Sequence, residues 1–228
     1  MEIVNVDLIV ISIIVIYLLF LLMINAILPT YRINYLNKTV FSIDKNYELY
    51  IELINKYLKK EENKAWRNIY LVMKINGFRK TENWGELKST IEIIDINRLP
   101  YVWKKNYCFS VLNLFMIGRI EEGNIMSIKL NNLSKINLYR VSSSKVVFAV
   151  YDYYNKPLQN NYDIFKDLLK IKQKSNYITA VIYLYLGLIE QQNNNIKESK
   201  MHYEKAKSFG VSTVVYTKSE ELLKRLDE

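Results

Sequence analysis

From Leu8 to Leu28 the chain reads LIVISIIVIYLLFLLMINAIL, a run without a single charged residue. At about 1.5 Å per residue, these roughly 21 positions of helix reach across a ~30 Å hydrocarbon core. Only Ser12, Tyr17 and Asn25 interrupt the apolar run, and a helix satisfies Ser12 through its own backbone carbonyls. A signal peptide would carry a basic leader and a shorter apolar core. Here the preceding residues include Glu2 and Asp7, and the core is too long. The stretch is therefore expected to be a transmembrane anchor, residues 1–30, with residues 8–28 in contact with the lipid bilayer.

The flanks set an expected orientation. Two acids and no Lys or Arg precede the run, whereas Arg32, Lys38 and Lys45 follow it. The side richer in Lys and Arg faces the cytoplasm. A single-pass protein follows, with its N-terminus outside and its large C-terminal domain cytoplasmic. Tyr31, Arg32 and Tyr35 stand where a membrane-interface belt of aromatic and basic residues is expected. The acceptors Asn37-Lys38-Thr39 and Asn132-Leu133-Ser134 would matter for glycosylation only in the reverse topology.

Several kinds of chemistry lack their parts. Cys108 is the only cysteine and His202 the only histidine. No internal disulfide can form, and His/Cys metal clusters of the usual kind lack their parts. The six glycines form no phosphate-cradling loop. Glu61-Glu62 and Glu121-Glu122 read as solvated acids at helix starts, and His202 as a solvated or half-buried helix residue. No enzyme activity, catalytic residue, metal or cofactor is expected. The net charge of +9 permits an anionic partner without requiring one.

Beyond the anchor, residues 31–44 read as a polar connector ending in Ser42 and Asp44 as helix caps. Helical periodicity then recurs to the C-terminus. Helices are expected at about 45–60, 63–78, 83–99, 103–117, 121–138, 142–156 and 160–171, as a pair across 176–210, and at 212–227, with Pro100 and Pro157 closing two of them. Residues 145–151, KVVFAVY, are also compatible with a buried strand, but no similar run exists to pair with it. A lone strand leaves its backbone groups unpaired, which favours helix.

One local device repeats. Asn83 is followed three residues on by Glu86, Asn160 by Asp163 and Asn195 by Glu198. An Asn cap with an acid in the first turn favours a helix start. Counted from those caps, the fourth, eighth and eleventh residues are Leu87, Ile91 and Ile94; then Ile164, Leu168 and Ile171; then Ser199, Tyr203 and Ala206. Shared offsets put one face of each second helix at the same angle, as stacked hairpins require. Thr217 with Glu220 is a further expected cap, in a last helix that covers the open end of the stack.

The stretch Asn176–Gly210 reads as two helices around an Asn-rich turn, with Tyr183, Leu186 and Gly187 in the first helix and Ser199, Tyr203 and Ala206 in the second. It resembles a tetratricopeptide repeat, a helix–turn–helix unit of roughly 34 residues. Tyr183 stands at the family's large aromatic and Leu186-Gly187 at its Leu-Gly pair. Glu190 departs from a usual aromatic and Val211 from a usual proline. The resemblance implies an all-α fold in which residues 45–228 form an α-solenoid of about four such hairpins with a C-terminal capping helix. It also implies a concave partner groove. By register that groove takes Ile69, Val72, Asn76 and Arg79; Val146, Ala149, Tyr153 and Lys156; and Val181, Leu184, Leu188 and Gln191.

The expected function is that of a membrane-anchored adaptor or scaffold holding protein or peptide segments in that groove. Two readings compete with it. One is nucleic-acid or anionic-lipid binding by the basic region between Arg98 and Lys174, with Tyr139, Tyr151, Tyr153 and Tyr154 interleaved; helix packing accounts better for those tyrosines, which leaves nucleic acid the lesser partner. The other is a peptide-sensing regulator.

Overall fold

The computed structural model describes residues 3–132, 142–156, 161–171 and 175–228. Among the described residues every regular element is helical and no strand occurs. Residues 145–151 lie inside a helix, as the pairing argument requires. The expected helix end at Leu138, the Pro157 stop and the Asn160 cap fall outside the described residues. The chain divides into two compact units, Met1–Leu87 and Lys88–Glu228.

The first unit opens with α1 (Ile3–Tyr35), which runs through Pro29 into a π-helical segment, Leu36–Ile43. The expected connector 31–44 is therefore helical almost to its end. Ile33, Leu36 and Val40 explain why: three- and four-residue spacing puts them on one buried face, which only a continued helix can present. The wider π register is visible where the Asp44 N–H donates to the Thr39 carbonyl at 2.9 Å. Tyr50 donates its hydroxyl to Asn37 Oδ1 at 2.9 Å, and Phe41 packs on the Tyr47 and Tyr50 rings. Lys45 turns the chain at φ 51°. Asn46, rather than Ser42 or Asp44, then caps α2 (Tyr47–Leu58) by accepting from the Leu49 N–H.

Asn63 accepts from the N–H groups of Ala65 and Trp66 and starts α3 (Lys64–Lys80). Gly77 lets α2 and α3 approach closely, since a Cβ there would lie 2.7 Å from Ile51 Cγ1. Asn83 caps α4 (Trp84–Ile93) as its spacing predicts, accepting from the Glu86 N–H.

In the second unit the end of α4 is held by Lys129, whose ammonium donates to the carbonyls of Ile91, Glu92 and Ile94 at 2.7, 2.6 and 3.2 Å. A cation there meets the negative helix end. A 3₁₀ turn, Ile96–Arg98, leads to Leu99, extended ahead of Pro100 as proline demands. Next come α5 (Tyr101–Met116) and α6 (Ile120–Asn131). Glu121 is an exposed acid paired with Lys88, but Glu122 corrects the solvated reading. It is buried and forked by the Arg119 guanidinium, which neutralises it.

The remaining elements are α7 (Ser142–Asn155), α8 (Asn161–Lys170), α9 (Asn176–Gln192), α10 (Ile196–Phe209) and α11 (Val214–Asp227). Thr217 lies within α11, so it caps nothing; the helix starts after Thr213. Consecutive helices pack on one another from α7 onward. Contacts also reach further: α11 packs on α5, and Tyr177 of α9 donates its hydroxyl to Asn113 of α5 at 2.9 Å. Strictly one-dimensional repeats touch only their neighbours, and these contacts go beyond that pattern.

Tyr185 centres the core of this unit. Its ring stacks on Phe165 at 5.3 Å and meets Tyr153 edge-on at 5.0 Å, and Tyr154 stacks in turn on Phe115 at 5.4 Å. Of the three faces with shared offsets, Leu87, Ile91 and Ile94 are buried, as are Ser199, Tyr203 and Ala206. The middle one is corrected. Ile164 and Ile171 are exposed, while Asn161, Phe165 and Leu168 are buried. Each residue advances the helix by about 100°, so moving the buried face by one position replaces Ile164 with Phe165.

Candidate partner-binding surface

The α9–α10 hairpin is built on a close crossing. A Cβ at Gly187 would lie 2.5 Å from the Tyr203 ring, so only glycine admits that ring at this depth. Ser199 donates its hydroxyl to the Gly187 carbonyl at 2.9 Å, and Tyr203 donates to Gln191 Oε1 at 2.7 Å. Burial pushes the Tyr203 phenol up to about 12. Tyr183 lies between His202 and Phe209, with ring centroids 5.9 and 5.8 Å away.

Two polar residues of the turn behave differently from their sequence reading. Asn195 sits at the cap position of α10, but its side-chain amide donates to Glu190 Oε2 at 2.7 Å instead of accepting from the helix. Glu190 is buried, and together with the Asn195 N–H to Glu190 carbonyl bond this clasp closes the turn. His202, expected solvated or half-buried, is buried, and neither ring nitrogen has a hydrogen-bond partner. Burial, and then the Lys205 ammonium, hold its pKa below the usual histidine value.

The groove positions separate into two sets. Ile69, Val72, Val146, Ala149, Val181 and Leu184 are buried in the core of their own units, where inter-helix packing uses their side chains. Asn76, Arg79, Tyr153, Leu188 and Gln191 are half-buried and keep some surface, and Lys156 is exposed. Tyr153 accepts from Gln192 Nε2 at 3.0 Å. With the Tyr203–Gln191 bond, this brings Tyr153 of α7 and Gln191 of α9 into one polar seam across α7, α9 and α10. Burial pushes the Tyr153 phenol up to about 12. Asn76 and Arg79 lie on α3, in the first unit.

At the proposed membrane interface Tyr31 and Tyr35 are exposed, at 70% and 43%. Arg32 turns inward, its guanidinium 5.0 Å over the Tyr57 ring. Every large apolar side chain described from Val10 to Met23 is exposed, and α1 is long and apolar enough to cross a membrane.

Cys108 is buried in an apolar setting that pushes its thiol up to about 12, so it holds almost no thiolate at neutral pH. Among the described residues no group of His, Cys, Asp and Glu is placed to hold a metal ion. Comparison with protein families, curated proteins and solved structures finds no match to this chain.

Proposed function

We propose that the protein is a single-pass membrane adaptor whose helical domain lies on the cytoplasmic side and binds protein or peptide segments. The observation that carries this is the contrast within one helix. The large apolar side chains from Val10 to Met23, with Ile27 and Leu28, are exposed, whereas Ile33, Leu36 and Val40 are buried. Water disfavours such a sleeve of exposed Ile, Leu and Phe, and a bilayer covers it. The excess of Arg32, Lys38 and Lys45 over the leading acids supports the orientation.

The adaptor role rests on the resemblance of α9 and α10 to a tetratricopeptide hairpin, together with the Gly187–Tyr203 crossing that makes the pair compact. Tethering raises the local concentration of whatever the domain binds without requiring tight contacts. The surface for that binding is the half-buried set around Tyr153, Leu188 and Gln191, where an apolar side chain and amide groups can receive a peptide's side chains and backbone.

A photo-crosslinking residue at Leu188 or Gln191, activated in intact membranes, tests it. A discrete adduct with a second polypeptide is expected, retained at moderate salt. Adducts only with nucleic acid, weakening steeply as salt rises, would replace the adaptor with the basic-surface reading. No adduct from either position, in a chain that remains membrane-bound, would remove this surface from the proposal.

A further inference from the structure

Beside the lower part of α1 the α2–α3 turn leaves a groove of about 530 Å³. One wall is apolar and belongs to the helix: Leu22 and Leu28, both largely exposed. Arg32 closes the end of that wall, and Lys60 and Glu62 from the turn with Trp66 from the start of α3 form the other side. We infer that this groove is a binding site for a zwitterionic phospholipid whose headgroup joins a phosphate to a primary ammonium.

The inference rests on the membrane-anchor proposal and deepens it. From Leu22 to Leu28 a helix rises about 9 Å. That is comparable to the headgroup layer, roughly 6 Å on each side of the ~30 Å core. The groove thus lies at the boundary between acyl chains and headgroups, with an apolar wall on α1 facing a charged one. It is continuous with the exposed apolar surface of α1, so a lipid enters from the bilayer without crossing water. Half-buried Trp66 places an amphipathic ring where interfacial tryptophan is favoured.

The charges select the headgroup. The lining holds Arg32 and Lys60 against Glu61 and Glu62, two cations and two carboxylates. Glu61 already accepts from the Asn63 N–H at 3.0 Å. Among the described residues no ion pair engages the side chains of Lys60 or Glu62. A phosphate accepts charge-assisted hydrogen bonds from Lys60, while a headgroup ammonium donates to Glu62. The Arg32 guanidinium, held over the Tyr57 ring, adds positive charge at the groove's end. An anionic lipid without an ammonium leaves Glu62 facing like charge. A quaternary headgroup has no N–H to donate.

The test uses the full chain with Trp84→Phe and Trp103→Phe, so that Trp66 is the only tryptophan. It is reconstituted in nanodiscs of phosphatidylcholine alone, or mixed with phosphatidylethanolamine or phosphatidylglycerol. Quenching of Trp66 by chain-brominated lipid is expected. Native mass spectrometry is expected to show several-fold enrichment of retained phosphatidylethanolamine over both other lipids. Lys60→Gln with Glu62→Gln abolishes the enrichment, and Lys60→Arg preserves it. Retention without preference, or preference for phosphatidylglycerol, overturns the inference. Alkaline carbonate extraction separates the two levels: release of the chain from membranes defeats the anchor itself, whereas a chain that stays in the pellet but shows no enrichment defeats only this site.

Discussion

Tyr203 and Gly187 show how much of a hairpin rests on one missing methyl group. Gly187→Ala would place its Cβ inside the Tyr203 ring's contact distance, and both residues are buried with little room to relax. Overpacking of this kind costs about 1–3 kcal/mol. Denaturant unfolding of the full chain in detergent should show that loss, and Tyr203→Leu in the same chain should relieve part of it through coupling of neighbouring residues. His202 adds a pH dependence. It faces Tyr183 and Lys205, with Glu190 and Glu198 also near enough to act on it. Its folded pKa lies below the unfolded value of about 6.5, so the unfolded chain binds the proton more readily. Stability should be full above pH 6.5 and fall as pH drops through 6.5 towards the lower folded pKa. His202→Gln should flatten that part of a stability-against-pH curve; an unchanged slope would assign it to other groups.

At the scale of elements, α1 serves two environments in succession. Its exposed apolar stretch ends near Leu28, and the next turns bury Ile33 and, in the π segment, Leu36 and Val40. The helix continues because that buried stripe keeps helical spacing even where the sequence turns polar. A charge within the exposed stretch separates the two roles. Leu18→Arg should cost about 2.5–3.5 kcal/mol of insertion while leaving the unit below intact. Measured by carbonate extraction, the variant should move towards the soluble fraction, with its helical circular dichroism retained outside α1. Lys129 makes a complementary point, since a side chain of α6 terminates α4 by binding the carbonyls of Ile91 and Glu92 within it and of Ile94 just beyond. Nothing near the end of α4 announces that arrangement, because its donor lies far along the chain.

On the scale of the whole molecule, the prediction concerns sidedness. Protease added outside sealed cells should leave residues 45–228 intact and digest them only after lysis. Digestion from outside would reverse the proposed orientation while leaving the helical architecture untouched. Each of the two compact units buries aromatic rings in its core. Tyr50 and Tyr70 are buried with Leu36, Ile54, Ile69 and Val72 in the first, and Tyr107, Tyr185, Tyr203, Phe115 and Phe165 build much of the second. Rings centred on Tyr185 join α5, α7, α8 and α9, and such aromatic pairs contribute about 0.5–1.5 kcal/mol each beyond their buried area.

The sequence alone determined what depends on neighbours along the chain. The apolar run of α1, the helical character of the rest, the Asn83 cap and the buried faces of α4 and α10 all follow from local spacing and capping, because a helix satisfies its own backbone. Tertiary structure decided what depends on distant partners. Which side of α8 is buried was set by Tyr185, which takes Phe165 rather than Ile164 as its stacking partner. Glu122, a solvated acid by its sequence, and His202, solvated or half-buried by its sequence, are both buried by neighbouring elements, as are six of the expected groove positions. The groove beside α1 was likewise illegible, because its two walls, Leu22–Arg32 and Lys60–Trp66, are separated along the chain and meet only when the α2–α3 turn packs alongside the helix. Periodicity states which residues share a face; only the packed neighbour states which face is covered.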